Sequence, residues 1–329
     1  MNSTADELRA ALDRLLDGLP PTQVTGTVER LMGHYRGHGT TGSPILRDRA
    51  DVAAYAAYRM PATFQAVAGA LTELADRMPG WSPSGHTDVG GGTGSAVWAA
   101  AARWPGQNRP TTVLDWAEPA LELGRELAAA SGDPALRAAQ WCRQAFDDAP
   151  ELPAADLVTV SYVLGELTGP ARSAVVSAAA GAGRAVVLVE PGTPAGYLRI
   201  RQARDQLIAG GLTVLAPCPH DDRCPIEVGA DWCHFAARVN RSALHRRIKG
   251  GSLPYEDEKY SYVAAVRDPG PATPAASRIV RRPQLRKGQV LLDLCEPEEG
   301  LRRGTVTKRD REQYRAARDA GWGAPWPPP

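Results

Sequence analysis

A glycine-rich segment with the sequence DVGGGTG, at residues 88–94, has the residue types best suited to binding a small ligand. A backbone without Cβ atoms can turn tightly and lie close to a ligand. A helix that begins directly afterwards points its free N–H groups at polar ligand atoms. The segment therefore predicts a nucleoside-binding loop, to which we assign Asp88, Gly90, Gly91, Gly92 and Gly94.

Three further polar residues occupy positions at which such a loop is completed. Asp115 ends the second predicted strand, where a carboxylate can accept both ribose hydroxyls. Asp147 follows the third predicted strand, in the region of adenine contacts, and Ser161 lies at the end of the fourth. The pattern favours S-adenosylmethionine (SAM) over a dinucleotide, because a dinucleotide loop needs glycine at the place of Ser95. A domain of this fold that binds nothing is the alternative.

The segment after the fourth predicted strand is uninformative about a methyl acceptor. It reads SYVLGEL (161–167) where amino-methylating enzymes often have an Asn/Asp-Pro-Pro-Tyr/Phe tetrapeptide. Glu166 is a candidate general base or a ligand of a substrate amine. A helix cap or an ion pair is the commoner role of such a carboxylate. The catalytic residue stays unknown, and the sequence does not decide whether methyl transfer occurs.

A group of cysteines predicts a metal centre. Three thiols fall within sixteen residues, two of them directly before proline, and thiolates are preferred ligands of zinc and of iron–sulfur clusters. Spacing alone does not separate a four-cysteine zinc site from a 4Fe–4S cluster, and unligated cysteines are the third alternative. A radical SAM loop is excluded, since it needs a compact CxxxCxxC spacing. The predicted ligands are Cys218, Cys224, Cys233 and Cys295, with His220 and His234 in reserve.

The pattern of elements around these residues predicts an α/β protein. Strands alternate with helices from Thr87 to Val189, which indicates a parallel sheet with helical crossovers in a Rossmann-like SAM-dependent methyltransferase fold. We divide the 329 residues into three regions. They are a helical N-terminal region (1–85), the SAM-binding core (86–212), and a cysteine-rich, basic, metal-binding C-terminal region (213–329).

Composition and charge narrow the function classes. The net charge of +1 excludes a global basic field, but residues 278–315 contain eleven Lys/Arg and six Asp/Glu. Apolar stretches are too short for a membrane span. Residues 1–20 form an acidic amphipathic pattern, unlike a transit peptide or secretory signal, so we expect a cytoplasmic protein. We expect no membrane partner, and a monomer when the chain is free.

Several longer segments have an unusual and specific sequence. They are YAAYRMPAT (55–63), SYVLGEL (161–167), EPGTP (190–194), CPH (218–220), WCHF (232–235) and LPYEDEKYSY (253–262). These segments resemble the Rsm22-like proteins, methyltransferase-like assembly factors of mitochondrial and bacterial small ribosomal subunits, and the resemblance covers most of the chain. It implies a SAM-type fold, a 4Fe–4S cluster held by the four cysteines named above, and association with the small ribosomal subunit and its rRNA.

Two functions follow from these patterns. The first is a SAM-binding, iron–sulfur-containing factor of the small ribosomal subunit, with rRNA bound by the basic stretches 241–249 and 278–315 and bases stacked on Tyr314 and Trp322. The alternative is an active SAM-dependent RNA or small-molecule methyltransferase with a structural four-cysteine zinc site and no ribosomal role. Ordinary solvated charges are the alternative to the RNA-binding stretches.

Overall fold

The computed structural model describes residues 3–16, 20–36, 49–147, 149–249 and 253–328. Within these ranges the core is an eight-stranded mixed sheet. Its strands are β1 (His86–Val89), β2 (Thr111–Asp115), β3 (Gln140–Arg143), β4 (Ala155–Ser161), β5 (Gly183–Pro191), β6 (Thr213–Ala216), β7 (Phe235–Asn240) and β8 (Tyr255–Val266).

The strand order is that of a Rossmann-like fold. It runs β3-β2-β1-β4-β5-β8-β6, with β7 paired to β8. β1 to β5 pair in parallel, whereas β8 runs antiparallel to β5, β6 and β7. Residues 185–189 of β5 are almost completely buried, as expected for a strand covered on both faces. The predicted α/β class is confirmed by this arrangement.

The described ranges contain ten helices. The longest, α3, runs through Pro61 without a break and packs against α4, α2 and β8. None of these helices combines the length and apolarity needed to cross a membrane. Their bounds are α1 (Thr4–Leu15), α2 (Pro21–Arg36), α3 (Arg49–Arg77), α4 (Ser95–Arg103), α5 (Glu118–Ala129), α6 (Pro134–Arg137), α7 (Gly169–Ala182), α8 (Pro194–Ala209), α9 (Ala243–Lys249) and α10 (Arg311–Asp319).

The central sheet extends past residue 212, the predicted end of the SAM-binding core. β8 lies between β5 and β6, and its residues 260–266 are buried. The chain thus leaves the sheet after β6, forms the cysteine-containing segment, and returns first as β7 and then as β8, with which β7 pairs. A local sequence pattern can predict that a segment forms a strand. It does not predict that this strand inserts between two earlier ones, because its place in the sheet depends on contacts distant in sequence.

A second, five-stranded sheet forms the C-terminal part of the described chain. β11 pairs antiparallel with β12 on one side and with β10 and β9 on the other, and β13 pairs with β9. α10 closes a small core of this sheet around Ile279, Leu292 and Trp326. The strands are β9 (Ser277–Ile279), β10 (Gln284–Arg286), β11 (Gln289–Glu296), β12 (Gly300–Thr307) and β13 (Pro325–Trp326).

Candidate functional site

A cavity of about 120 Å³ lies at the carboxyl ends of β1, β2 and β4, where open α/β sheets bind ligands. The glycine loop forms its floor. The walls come from the ends of β2 and β4 and from α3. Its lining includes Gly90, Gly91, Gly92, Asp115, Ser161, Tyr162, Glu166, Tyr55, Met60 and Thr63.

The glycines of the loop have different roles. Gly92 has a φ of +53°, and a Cβ built there would have Asp115 Oδ2, 3.7 Å away, as its nearest neighbour. Its backbone therefore faces open space in the cavity. Gly90 has a φ of +66°, and a Cβ there would lie 2.5 Å from Val163. Packing of the loop against the segment after β4 therefore requires Gly90.

The other two glycines of the motif are also required by packing. A Cβ on Gly91 would lie 2.5 Å from Asp88 Oδ2, and a Cβ on Gly94 would lie 2.6 Å from the ring of Trp141. Gly94 does not line the cavity. Both positions allow the loop to lie close to β1 and β3, and Gly91 also lines the cavity.

Asp115 is positioned to bind hydroxyl groups. The backbone N–H of Gly92 donates to its Oδ2 at 2.8 Å, and the N–H of Ala117 donates to its Oδ1 at 2.8 Å. Burial raises the pKa of Asp115, and these backbone donors oppose that shift. A carboxylate has about four acceptor sites, so two stay available for a ribose diol.

Two predicted binding residues lie away from the cavity. Asp88 is buried beneath the loop, where Thr159 donates to its Oδ1 at 2.7 Å. Burial, with a smaller effect from Asp115, raises the pKa of Asp88 to about 7. Asp147 is exposed and accepts the N–H of Ala149 at 3.1 Å. The structure therefore gives Asp88 a position in the core and does not bring Asp147 to the cavity.

Glu166 does lie in the cavity wall, together with Ser161. Glu166 is exposed as a residue, but desolvation in the cavity wall raises the pKa of its carboxyl group to about 7, and the nearby carboxylates of Asp115 and Glu190 contribute to the shift. A carboxyl group with this pKa can hold or release a proton near neutral pH. Its environment is suited to proton transfer or to binding a cationic ligand.

A network not predicted from the sequence borders the same cavity. Tyr162 has the left-handed φ of +59°, which is uncommon outside glycine and typical of functional sites. Its hydroxyl donates to Glu258 Oε1 at 3.0 Å, and Arg59 donates to the same carboxylate at 3.0 Å. Arg59 and Glu258 are 199 positions apart. No spacing rule connects residues so distant in sequence. The sequence signal for this pair is that Arg59 lies in the YAAYRMPAT segment and Glu258 in the LPYEDEKYSY segment.

The four predicted metal ligands line a second cavity of about 50 Å³. Burial is the main cause that raises the pKa of Cys218 and Cys233, and it raises that of Cys295 to about 12. For Cys233 the nearby thiols of Cys218, Cys224 and Cys295 add to the shift. Cys142 is exposed on β3, away from this group.

The cysteines do not form the ligand set of a single ion. In a tetrahedral zinc site, Zn–S bonds of about 2.3 Å place the sulfur atoms about 3.8 Å apart. Across the described residues, no three His, Cys, Asp or Glu side chains are grouped closely enough to hold one metal ion. Cys295 Sγ is 3.8 Å from His220 Nε2, and Cys224 Sγ is 3.4 Å from the hydroxyl of Tyr197. The predicted metal centre therefore stays a prediction.

Two buried guanidinium groups line the same cavity. Arg204 and Arg278 are 3% and 1% exposed, and Arg204 Nε and Arg278 Nη2 have no hydrogen-bond partner within the described part of the chain. An unpaired buried donor costs free energy. Four thiolates around a metal centre carry negative charge and would satisfy these donors, so the composition of the cavity fits such a group.

A model of the family described as "Mitochondrial small ribosomal subunit Rsm22" matches residues 49–327. The chain belongs to this family. The curated human relative "Ribosome assembly protein METTL17, mitochondrial" is 30% identical over 285 residues, covering 82% of this chain and 61% of that protein. "Ribosome assembly protein RSM22, mitochondrial" of Saccharomyces cerevisiae is 25% identical over 179 residues, covering 35% of this chain and 28% of that protein. This member of the Rsm22 family thus spans less than two thirds of these relatives.

Solved structures with a similar fold include methyltransferases. The glycopeptide N-methyltransferase MtfA complexed with SAM gives a TM-score of 0.40 at 13% identity, covering 62% of this chain and 94% of that chain. Magnesium protoporphyrin IX methyltransferase from Synechocystis PCC 6803 with bound SAM gives 0.38 at 15% identity, covering 76% and 99%. Values this low add nothing to what the strand order already establishes.

The family comparison confirms one prediction and contradicts another. The resemblance to Rsm22-like proteins is confirmed. The predicted cytoplasmic location is wrong, because the curated relatives are named as mitochondrial proteins, which points to the mitochondrion. That prediction used the acidic composition of residues 1–20. Leu8 and Leu12 of α1 are buried in the core, so the composition of this helix reflects the fold rather than a location.

Proposed function

We propose that this Rsm22-family protein is a SAM-binding assembly factor of the small ribosomal subunit whose C-terminal sheet is held by a four-cysteine iron–sulfur cluster. The observation that carries the ribosomal role is the family match over residues 49–327, together with relatives named as ribosome assembly proteins. Because the chain spans 61% of human METTL17, its activity and partners are proposed rather than transferred.

Co-sedimentation tests the ribosomal role. A tagged copy of the protein is expressed in the cells that naturally produce it. Their lysate is separated on density gradients at low and at high salt, and the tagged protein is located in the gradient fractions. We expect it with the small subunit and its precursors at low salt, and released at high salt, because contacts to phosphate weaken as salt rises. Protein that stays in the soluble fractions at every salt concentration would contradict the role.

The first cavity is proposed to bind SAM, which supplies an activated methyl group when bound. Asp115 would accept hydrogen bonds from the ribose hydroxyls, and the open backbone at Gly92 would lie against the nucleoside. Ser161, Met60 and Tyr55 line the same cavity and would surround the rest of the ligand. These assignments exclude Asp147 and give Asp88 a supporting role beneath the loop.

Calorimetry with matched variants tests the pocket. Asp115→Ala removes charge-assisted hydrogen bonds, so we expect SAM affinity to fall about 10- to 100-fold. Asp147→Ala, the control, removes an exposed carboxylate away from the cavity and should leave affinity unchanged. Equal effects of the two variants would contradict the assigned pocket.

The second cavity is proposed to hold a 4Fe–4S cluster rather than zinc. The four cysteines that would be its ligands line one cavity, and they are not grouped closely enough for a single ion. The unpaired donors of Arg204 and Arg278 favour an anionic occupant. Since Cys295 lies on β11 and the other three cysteines lie between β6 and β7, the cluster would join the C-terminal sheet to the body.

Metal analysis of anaerobically purified protein tests the cluster. We expect about four iron atoms per chain, with iron lost in Cys295→Ser and retained in Cys142→Ser, the exposed control cysteine. Loss of the metal should also lower the melting temperature, because binding energy in such sites stabilises the fold. One zinc ion per chain without iron, or full iron in Cys295→Ser, contradicts the assignment.

Active methyl transfer to RNA is a second candidate function, favoured by one observation. Glu166 lies in the wall of the SAM cavity, and its pKa is raised to about 7. Incubation with methyl-labelled SAM and small-subunit rRNA should then label the RNA, and Glu166→Gln should remove the label while SAM still binds. Unlabelled RNA with bound SAM would restrict the protein to its binding role.

A further inference from the structure

Most basic residues of the C-terminal sheet fall into two groups. The first group is already neutralised by acids of the same chain, so it offers little charge to a partner. Its ion pairs are Arg278–Glu73, Arg281–Asp231, Arg302–Glu296 and Arg303–Asp293. The second group is Arg286, Lys287, Lys308, Arg309 and Arg311, which we call the basic end. All five are exposed, and none forms a salt bridge within the described ranges.

The pairing of the strands places the residues of the basic end close to one another. Arg286 pairs with Gln289 across the β10–β11 turn, and Gln289 pairs with Thr307 on the other side. The N–H of Lys308 donates to the carbonyl of Gly288 in that turn at 3.1 Å. The tip of the hairpin and the end of β12 therefore meet at one edge of the sheet. Since β10 and β12 flank β11, their charges span about 10 Å.

α10 adds exposed arginines to the basic end. Arg311, Arg315 and Arg318 follow at helical spacing and are exposed, whereas Ala317 is buried against the sheet. Seven residues of helix add about 10 Å of length. The segments 286–287 and 308–312 contain five basic and two acidic residues. The result is an extended row of unpaired cations.

The aromatic side chains predicted to stack on bases are engaged inside the protein. The ring of Trp322 contacts the ring of His234 at 4.6 Å, and Tyr314 packs against the core of the C-terminal sheet. Lys308 Nζ lies 5.9 Å from the Tyr314 ring. The surface thus offers cations without free aromatic faces, which suits a phosphate backbone rather than splayed bases.

We infer that the basic end, continued by Arg315 and Arg318, is the surface on which the small-subunit rRNA backbone binds. This inference rests on the proposed function and adds the contact surface to it. An extended row of unpaired charge matches the repeated phosphates of a nucleic acid. Binding here is insensitive to base sequence and strongly dependent on salt.

The test compares two charge-matched double variants. Lys287→Gln with Arg309→Gln removes two charges of the basic end. Arg14→Gln with Arg184→Gln removes two exposed charges from α1 and β5. Binding of purified small-subunit rRNA is measured by fluorescence anisotropy from about 50 to 300 mM KCl, a range over which phosphate contacts weaken strongly. Melting temperatures verify that both variants fold.

Each lost phosphate contact lowers the slope of log K against log salt by about 0.7–0.9. We expect the first variant to lose a slope of about 1.4–1.8, with affinity at about 0.1 M salt reduced on the order of 30-fold. The control should bind as wild type does. An unchanged slope in the first variant, or equal losses of affinity in both variants, overturns the inference. In that case, binding of the rRNA by the wild-type protein still supports the proposed function. Absence of wild-type binding overturns both.

Discussion

Arg278 of β9 joins the C-terminal sheet to the α/β body, and its replacement tests how that joint is held. The side chain is 1% exposed. Its Nη1 donates to Glu73 of α3 at 2.5 Å and to the carbonyl of Gly323 at 2.8 Å, and its Nε donates to the carbonyl of Pro217 at 2.8 Å. One guanidinium group thus connects α3, the segment before Cys218 and the C-terminal segment.

Arg278→Met retains much of the apolar stem and removes all three hydrogen bonds. Breaking a buried ion pair costs about 3–5 kcal/mol, because the remaining partners lose their charge compensation. Glu73 is 26% exposed and regains some water, so we take about 4 kcal/mol. Unfolding entropy near 2.1 cal/mol/K per residue gives about 0.7 kcal/mol/K for 329 residues. The melting temperature should fall by about 6 °C.

Circular dichroism melting measures this change, and limited proteolysis shows whether the C-terminal sheet detaches first. Arg303→Met is the control, because its pair with Asp293 is 53% exposed on the arginine side and should contribute less than about 1 kcal/mol. A double-mutant cycle with Glu73→Gln isolates the ion pair from the two carbonyl contacts. Arg278→Met melting within about 1 °C of wild type would refute the reasoning.

Two further predictions concern the glycine loop. Burial raises the pKa of Asp88 to about 7, above its value near 3.9 in the unfolded chain. Between these two pH values the native state binds one more proton than the unfolded state. The free energy of unfolding therefore falls as pH rises from about 4 to 7. Asp88→Asn should remove this contribution, seen as a smaller loss of stability between about pH 4 and 7 in urea unfolding. An unchanged pH dependence contradicts the prediction. Gly90→Ala should cost more stability than Gly106→Ala, by about 1–3 kcal/mol, because only the Gly90 Cβ would clash. Equal costs in the same unfolding experiment would show that the packing against Val163 is irrelevant.

The features that the sequence predicted correctly are those set by local pattern. Alternating strands and helices predicted the parallel part of the sheet, since each unit folds against its neighbour. The glycines predicted the turn after β1, because positive φ at Gly90 and Gly92 is a local requirement. Clustering of three cysteines together with Cys295 predicted a metal centre; the four do line one cavity, but the metal stays a prediction.

The features that the sequence could not predict depend on distant contacts or on side-chain direction. Asp88 belongs to the glycine motif, yet alternation along β1 turns it into the core. Asp147 follows β3 by four residues of irregular chain, so its position relative to the cavity is not fixed by spacing. The Arg59–Glu258–Tyr162 network and the insertion of β8 join segments far apart in the chain.

Crosslinking in cells tests the central claim most directly. The tagged protein is crosslinked to RNA with ultraviolet light, purified under denaturing conditions, and the attached RNA is sequenced. We predict strong enrichment of small-subunit rRNA, reduced by the Lys287→Gln, Arg309→Gln variant. Recovery of other RNAs without enrichment of small-subunit rRNA would contradict the account.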